Sequence, residues 1–168
     1  MELKQLFLGQ LEREAAAARK TIERVPEGHN DWKPHEKSMP MGYLAALVAT
    51  MPGWAEFMID RAELDLGGPS GEKFKTLAFE TKDEMLRKFE DGVARSRRAL
   101  TNTTEEHLLK PWRFAMNGQT LFEAPRYQVL SESLFCHLAH HRGQLTVYLR
   151  LNNAKVPAIY GPSADEFH

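Results

Sequence analysis

The stretch His137-Leu138-Ala139-His140-His141-Arg142-Gly143-Gln144-Leu145 decides how this chain is interpreted. It lies inside a pattern of apolar and polar residues that predicts one long helix from about Pro125 to Asn152. The pair Asn152-Asn153 is expected to end this helix, and the following segment, 156–162, is too rich in proline and glycine to be helical.

The two outer histidines of this stretch could act together. His137 and His141 are four residues apart, so on a helix their imidazoles lie on the same face. Neutral imidazoles that converge from one side are suitable ligands for a transition metal, although two histidines at the edge of a core would show the same spacing. Gln144 and Tyr148 extend this face and are candidates for binding a ligand or cofactor. Cys136 is rotated off the face and is expected to be a small buried residue.

Three further helices precede this one along the chain. Residues 2–25 have a helical period. A second helix begins near Pro40, has apolar residues as far as Ile59 and ends at the run Gly67-Gly68-Pro69-Ser70-Gly71, with a kink expected at Pro52-Gly53. A third helix spans about 81–100, with Thr81 and Glu84 at the spacing of a capping box. Apolar residues of the connector 72–80 should pack on the bundle: Phe74, Leu77 and Phe79. Asn117-Gly118 lies between two short apolar runs and predicts a small hairpin.

Length and composition indicate one soluble domain over residues 1–168 and exclude several functions. The chain has 22 basic and 23 acidic residues and a formal charge of −1, so nothing favours nucleic acid or an acidic membrane surface. No apolar run approaches the length that a membrane-spanning helix needs, and the N-terminus lacks a signal-peptide pattern. With a single cysteine no intrachain disulfide can form, so a cytoplasmic location is expected.

Two stretches carry a family resemblance. The first is Arg24-Val25-Pro26-Glu27-Gly28-His29-Asn30-Asp31-Trp32-Lys33-Pro34-His35-Glu36-Lys37-Ser38-Met39. The second runs from His137 to Leu145 and continues in the tail Tyr160-Gly161-Pro162-Ser163-Ala164-Asp165-Glu166. Together they resemble the DinB/YfiT-like family over nearly the whole chain.

The resemblance implies both a fold and a site. The fold would be all-α, a four-helix bundle with up-down-down-up connectivity, a long connection and a small hairpin-like excursion before the fourth helix. The protein would often be a homodimer. The site would hold a divalent metal, commonly zinc or nickel, on three histidines, of which His137 and His141 match the two from the fourth helix. Characterised relatives include thiol-dependent transferases, in which the metal is thought to activate a small thiol or water.

The second helix departs from the family pattern. The third histidine is expected after a Leu-x-x frame that here is Leu44-Ala45-Ala46, and the next residue is Leu47. Leucine cannot ligate a metal, and no histidine occurs between positions 36 and 106. A replacement donor would have to come from elsewhere, with four candidates: Glu56, Asp60, His29 and His35. The preferred interpretation is an incomplete metal site.

Two functions remain open at this point. One is a divalent-metal-dependent thiol transferase or hydrolase that acts on small molecules, with His137 and His141 holding the metal. The other is a non-catalytic bundle that keeps the cleft as a small-molecule pocket or uses its surface for dimerisation. Direct action on DNA is disfavoured because the charge is balanced and there is no basic stripe.

Overall fold

The first helix forms one wall of the core. The structure, a computed structural model, describes residues 2–67, 79 and 81–166. Helix α1 spans Leu3–Glu23, two residues shorter at its C-terminal end than the sequence predicts. Its apolar stripe is buried at three- and four-residue steps: Phe7, Leu11, Ala15, Ala18 and Ile22. This burial explains why the segment is helical, since a helix within a protein gains most of its stability from the packing of its apolar face.

The second helical segment is broken where proline stands. Helix α2 spans Met41–Thr50, a short 3₁₀ turn spans Met51–Gly53, and helix α3 spans Trp54–Asp60. The predicted interruption at Pro52-Gly53 is confirmed, because proline cannot donate the hydrogen bond that would continue α2. The helical segment ends at Asp60, before the glycine-rich run at 67–71 that was predicted to end it.

The third long helix begins as predicted. Helix α4 spans Lys82–Asn102, and the hydroxyl of Thr81 accepts a hydrogen bond from the backbone N–H of Glu84 at 3.1 Å. A short helix α5 follows at Glu105–Leu109, and Thr104 caps it in the same way. Both caps satisfy a backbone donor that has no partner within its helix.

A small sheet corrects the all-α class predicted from the sequence. Strands β2 (Pro111–Met116) and β3 (Gln119–Pro125) form the predicted hairpin, and its turn has positive φ at both Asn117 and Gly118. A third strand, β1 (Glu63–Leu66), pairs in parallel with β2 and was not predicted. Four residues are too few to establish an alternating pattern, and a parallel partner distant in sequence leaves no local signal.

The last helical segment is not regular. It comprises helix α6 (Arg126–Val129), a π-helical stretch (Leu130–Cys136) and helix α7 (His137–Leu151). The range agrees with the predicted helix from 125 to 152, but the widened turns before His137 were not predicted. Such π-helical turns are rare and frequently occur at functional sites.

These helical segments pack around a shared core. Helix α1 packs against α4 and α7, and α2 packs against α7 and α4. Phe79 packs against this core as predicted, whereas Phe74 and Leu77 lie outside the described residues. In the described part of the chain, no helix is long and apolar enough to cross a membrane.

Candidate metal centre

The two histidines predicted as metal ligands lie together at the start of α7. Their Nε2 atoms are 2.8 Å apart, and their ring centroids are separated by 4.5 Å. His141 is 8% exposed, whereas His137 is exposed to solvent. The pair therefore presents two ring nitrogens to one point, and that point is open on the side of His137.

Gln144 fixes the orientation of the buried ring. The Nδ1 atom of His141 lies 2.9 Å from the amide oxygen of Gln144, and an amide oxygen can only accept a hydrogen bond. His141 therefore carries its proton on Nδ1, and its Nε2 lone pair accepts a hydrogen bond from the Nε2–H of His137. Burial, followed by the influence of the neighbouring histidines, holds the pKa of His141 below its ordinary value of 6.5, which favours this neutral form.

Tyr148, the other residue predicted to bind a ligand, is anchored elsewhere. Its hydroxyl donates a hydrogen bond to the carbonyl oxygen of Met39 at 3.2 Å, and its ring meets Trp32 edge-on at a centroid distance of 5.5 Å. Trp32 and Met39 belong to the long connection between α1 and α2. Tyr148 therefore holds this connection against α7, and its role in ligand binding stays a prediction.

Trp54 lies beside the exposed histidine and was not singled out in the sequence. Its ring is 6.1 Å from that of His137, measured between centroids. In the sequence Trp54 is one of many apolar residues in the second helical segment. Only the tertiary arrangement, in which the start of α3 lies beside His137, identifies it as a neighbour of the site.

The described residues contain no third donor that completes the site. No group of three or more His, Cys, Asp or Glu residues suited to a metal occurs among residues 2–67, 79 and 81–166. The carboxylate of Glu56 is paired with Arg95 at 2.8 Å. His29 and His35 make local hydrogen bonds in the connection between α1 and α2, and Asp60 is exposed at the end of α3.

The residues present therefore fit part of a metal site but not a three-histidine one. Zinc binds imidazole nitrogen at about 2.0 to 2.1 Å, so a tetrahedral ion would require the two Nε2 atoms to separate to roughly 3.3 Å. Exposure of His137 allows that small adjustment. Leu47, which lies on α2 and is 8% exposed, supplies no donor atom. Catalytic zinc sites use three protein ligands, and the part of the chain that the structure describes offers two.

The neighbouring residues of the motif lie outside the pair. His140 is exposed and meets the ring of His141 edge-on at 5.0 Å, as expected for a side chain rotated by about 100° on the helix. Cys136, expected to be buried, is exposed, because it stands at the end of the π-helical stretch. Its burial was predicted from the residue type, since free cysteine is among the most buried residues, and that prediction is wrong.

Comparison with known proteins gives the fold. The structure resembles the crystal structure of a DinB-like protein from Bacillus cereus with a TM-score of 0.68 and 17% identity, covering 92% of this chain and 95% of that one. It resembles a DinB-like protein from Bacillus subtilis with a TM-score of 0.66 and 17% identity, covering 90% and 95% of the two chains. No protein-family model matches the sequence, and no curated protein matches it either. At the level of the fold, the predicted resemblance is confirmed.

Proposed function

We propose that this protein is a DinB-like four-helix bundle with an incomplete metal site, which binds divalent metal weakly and exchangeably through His137 and His141. The observation that carries the proposal is the convergence of two imidazole nitrogens at 2.8 Å with no third donor in the described residues. Two imidazoles hold a metal less tightly than three, because fewer protein–metal bonds must be exchanged for bonds to water before the ion leaves. The bundle would have the up-down-down-up connectivity that the resemblance implies.

The alternative is a divalent-metal-dependent thiol transferase or hydrolase that acts on small molecules. One observation favours it: Gln144 holds the tautomer and orientation of His141, as outer-shell partners do in functional metal sites. A bound metal would supply acidity to a thiol or water.

Metal titration with cobalt(II) separates the two proposals. Co²⁺ is added to full-length protein without a histidine tag, and visible absorption and calorimetry give geometry and stoichiometry. We expect weak binding in the wild type. If Leu47 occupies the position of the family's third histidine, the new imidazole of Leu47→His faces the pair, and Co²⁺ affinity should rise at least tenfold. Even an outer-shell partner has an effect of that size on metal affinity.

A double variant provides the control. In Leu47→His/His141→Ala the added histidine remains but one original donor is gone, so the gain should disappear. Tight binding of one equivalent by the wild type would overturn the proposal and support the enzyme. An unchanged affinity in Leu47→His would show that Leu47 does not occupy the position of the family's third histidine. The homodimer implied by the resemblance also stays a prediction, and light scattering during gel filtration would test it.

A further inference from the structure

The side of α7 that faces away from the histidine pair carries a buried ion pair. Arg142 follows His141 directly but points towards α1 and is 1% exposed. Its Nη1 lies 2.7 Å from the carboxylate of Glu14 and also donates to the backbone carbonyl of Glu14 at 3.2 Å. Because opposite charges buried together require close geometry, this pair admits few rotations of α7 relative to α1.

Tyr160 in the C-terminal tail closes the ion pair from outside. Its hydroxyl donates to the carboxylate of Glu14 at 2.8 Å and accepts a hydrogen bond from Arg142. The guanidinium of Arg142 also lies 5.1 Å from the centre of the tyrosine ring. The ring is largely exposed, so only the phenolic tip is inserted. Burial and the hydrogen bond to Glu14 raise the pKa of Tyr160, which keeps the hydroxyl protonated as a donor.

The tail that carries Tyr160 is tied to both helices. We define the strap as residues 154–166. Within the strap, Asp165 accepts a hydrogen bond from the backbone N–H of Val156 at 2.8 Å, and Glu166 accepts one from Ala158 at 3.0 Å. Each of these carboxylates has a second partner. Asp165 pairs at 2.7 Å with Arg150 on α7, and Glu166 pairs at 2.7 Å with Arg24 after α1.

These contacts give a role to the tail motif that the sequence analysis identified without explaining. Ser163 donates from its hydroxyl to the carbonyl of Val156 at 2.6 Å, so the run Ser163-Ala164-Asp165-Glu166 folds the strap on itself and onto the bundle. Tyr160 then reaches the ion pair in the middle of α1 and α7. The motif contacts other residues of α7 rather than the histidine pair, yet it holds the helix that bears this pair.

We infer that Glu14, Arg142 and Tyr160 are positioning residues, which set the rotation of α7 and thereby aim the histidine pair at α2 and α3. The inference rests on the proposed function of that pair. A rotation of α7 by about 10° would move an imidazole by about 1 Å, because side-chain atoms lie 5 to 6 Å from a helix axis. Such a shift changes the approach of His137 to Trp54.

Nuclear magnetic resonance of the full-length, metal-free protein tests the inference. The readouts are the ¹⁵N shifts of the His137 and His141 rings and the cross-peak between the rings of Trp54 and His137. Tyr160→Phe removes one hydroxyl and leaves an exposed ring in place, so the fold should persist. We expect shifted histidine signals and a weakened Trp54 cross-peak. Tyr127→Phe, at an exposed position on α6, is the matched control and should change neither signal.

A second arm uses the metal as a probe. In the Leu47→His background, Tyr160→Phe and Glu166→Gln should each reduce Co²⁺ affinity by roughly tenfold, comparable to the loss of an outer-shell partner. Failure of Leu47→His itself to gain affinity would count against placing Leu47 at the position of the third histidine and not against this inference, since the nuclear magnetic resonance experiment needs no metal. The inference is overturned if the strap variants lower the melting temperature but leave the histidine signals and the Trp54 cross-peak as in the wild type.

Discussion

Two glycines on the helices of the candidate site, α2 and α7, differ in the space available for a side chain. A Cβ at Gly42 would lie 3.0 Å from Cβ and 3.1 Å from Cα of Asn30, because the connection between α1 and α2 folds directly over the start of α2. The backbone N–H of Gly42 also donates to the carbonyl of Asn30 at 2.9 Å. A Cβ at Gly143, within α7, would meet nothing within 4 Å.

Alanine substitutions should therefore have opposite effects. Gly42→Ala must displace backbone and is expected to lower the free energy of unfolding by about 1 to 3 kcal/mol, the usual cost of overpacking. Gly143→Ala replaces a poor helix former at an open position and should raise it by about 0.5 to 1 kcal/mol. Urea unfolding of both variants measures this. Equal destabilisation by the two would contradict the account.

At the scale of elements, a buried arginine joins the sheet to the helices. Arg126, at the start of α6, is 5% exposed, and burial lowers the pKa of its guanidinium. It donates to the carbonyls of Pro111 at 2.7 Å, Lys110 at 3.2 Å and Arg61 at 2.9 Å. These carbonyls come from two connections, α3 to β1 and α5 to β2, and Arg126 itself stands where β3 passes into α6. Three connections therefore meet at this side chain.

Arg126→Gln should therefore loosen the sheet more than the helices. An amide cannot span the three carbonyls, so we expect a loss of about 2 to 4 kcal/mol in the free energy of unfolding. Arg98→Gln, an exposed position on α4, is the control and should change it by less than about 0.5 kcal/mol. Hydrogen exchange of β1 and β2 amides locates the effect. If amide hydrogen exchange accelerated equally in α1 and α4, the result would argue against a local role of Arg126 at the sheet.

The elements also show what could be predicted and why. Helix starts were predictable where a local signal exists, as with Thr81 capping α4, and the hairpin followed from Asn117-Gly118. Strand β1 was missed because its stabilisation comes from β2, about fifty residues later. In the site, the pairing of His137 and His141 followed from helical spacing, whereas the contact with Trp54 depends on how α3 packs beside α7.

On the scale of the whole molecule, ion pairs connect segments that are distant in sequence. Glu12 on α1 accepts two hydrogen bonds from Arg97 on α4, at 2.6 and 2.9 Å. These bonds hold the pKa of Glu12 below its ordinary value of 4.5, and pairing with Arg150 holds that of Asp165 below 3.8. Each carboxylate therefore binds protons more weakly in the folded state than in the unfolded one.

The consequence is a loss of stability in acid with a defined sign. When the folded-state pKa is lowered, stabilisation is fully present above the ordinary values of 4.5 and 3.8, and it is lost as the pH falls through the lower folded-state values. Urea unfolding between pH 7 and pH 3 should therefore show a steeper loss in the wild type than in Glu12→Gln/Asp165→Asn. Both pairs are exposed, so the difference should be small, and 0.5 M salt should reduce it. Parallel profiles for the two proteins would mean that these ion pairs do not contribute to the free energy of unfolding. The strap would then be held by the contacts of Tyr160 with the buried ion pair rather than by its surface charges.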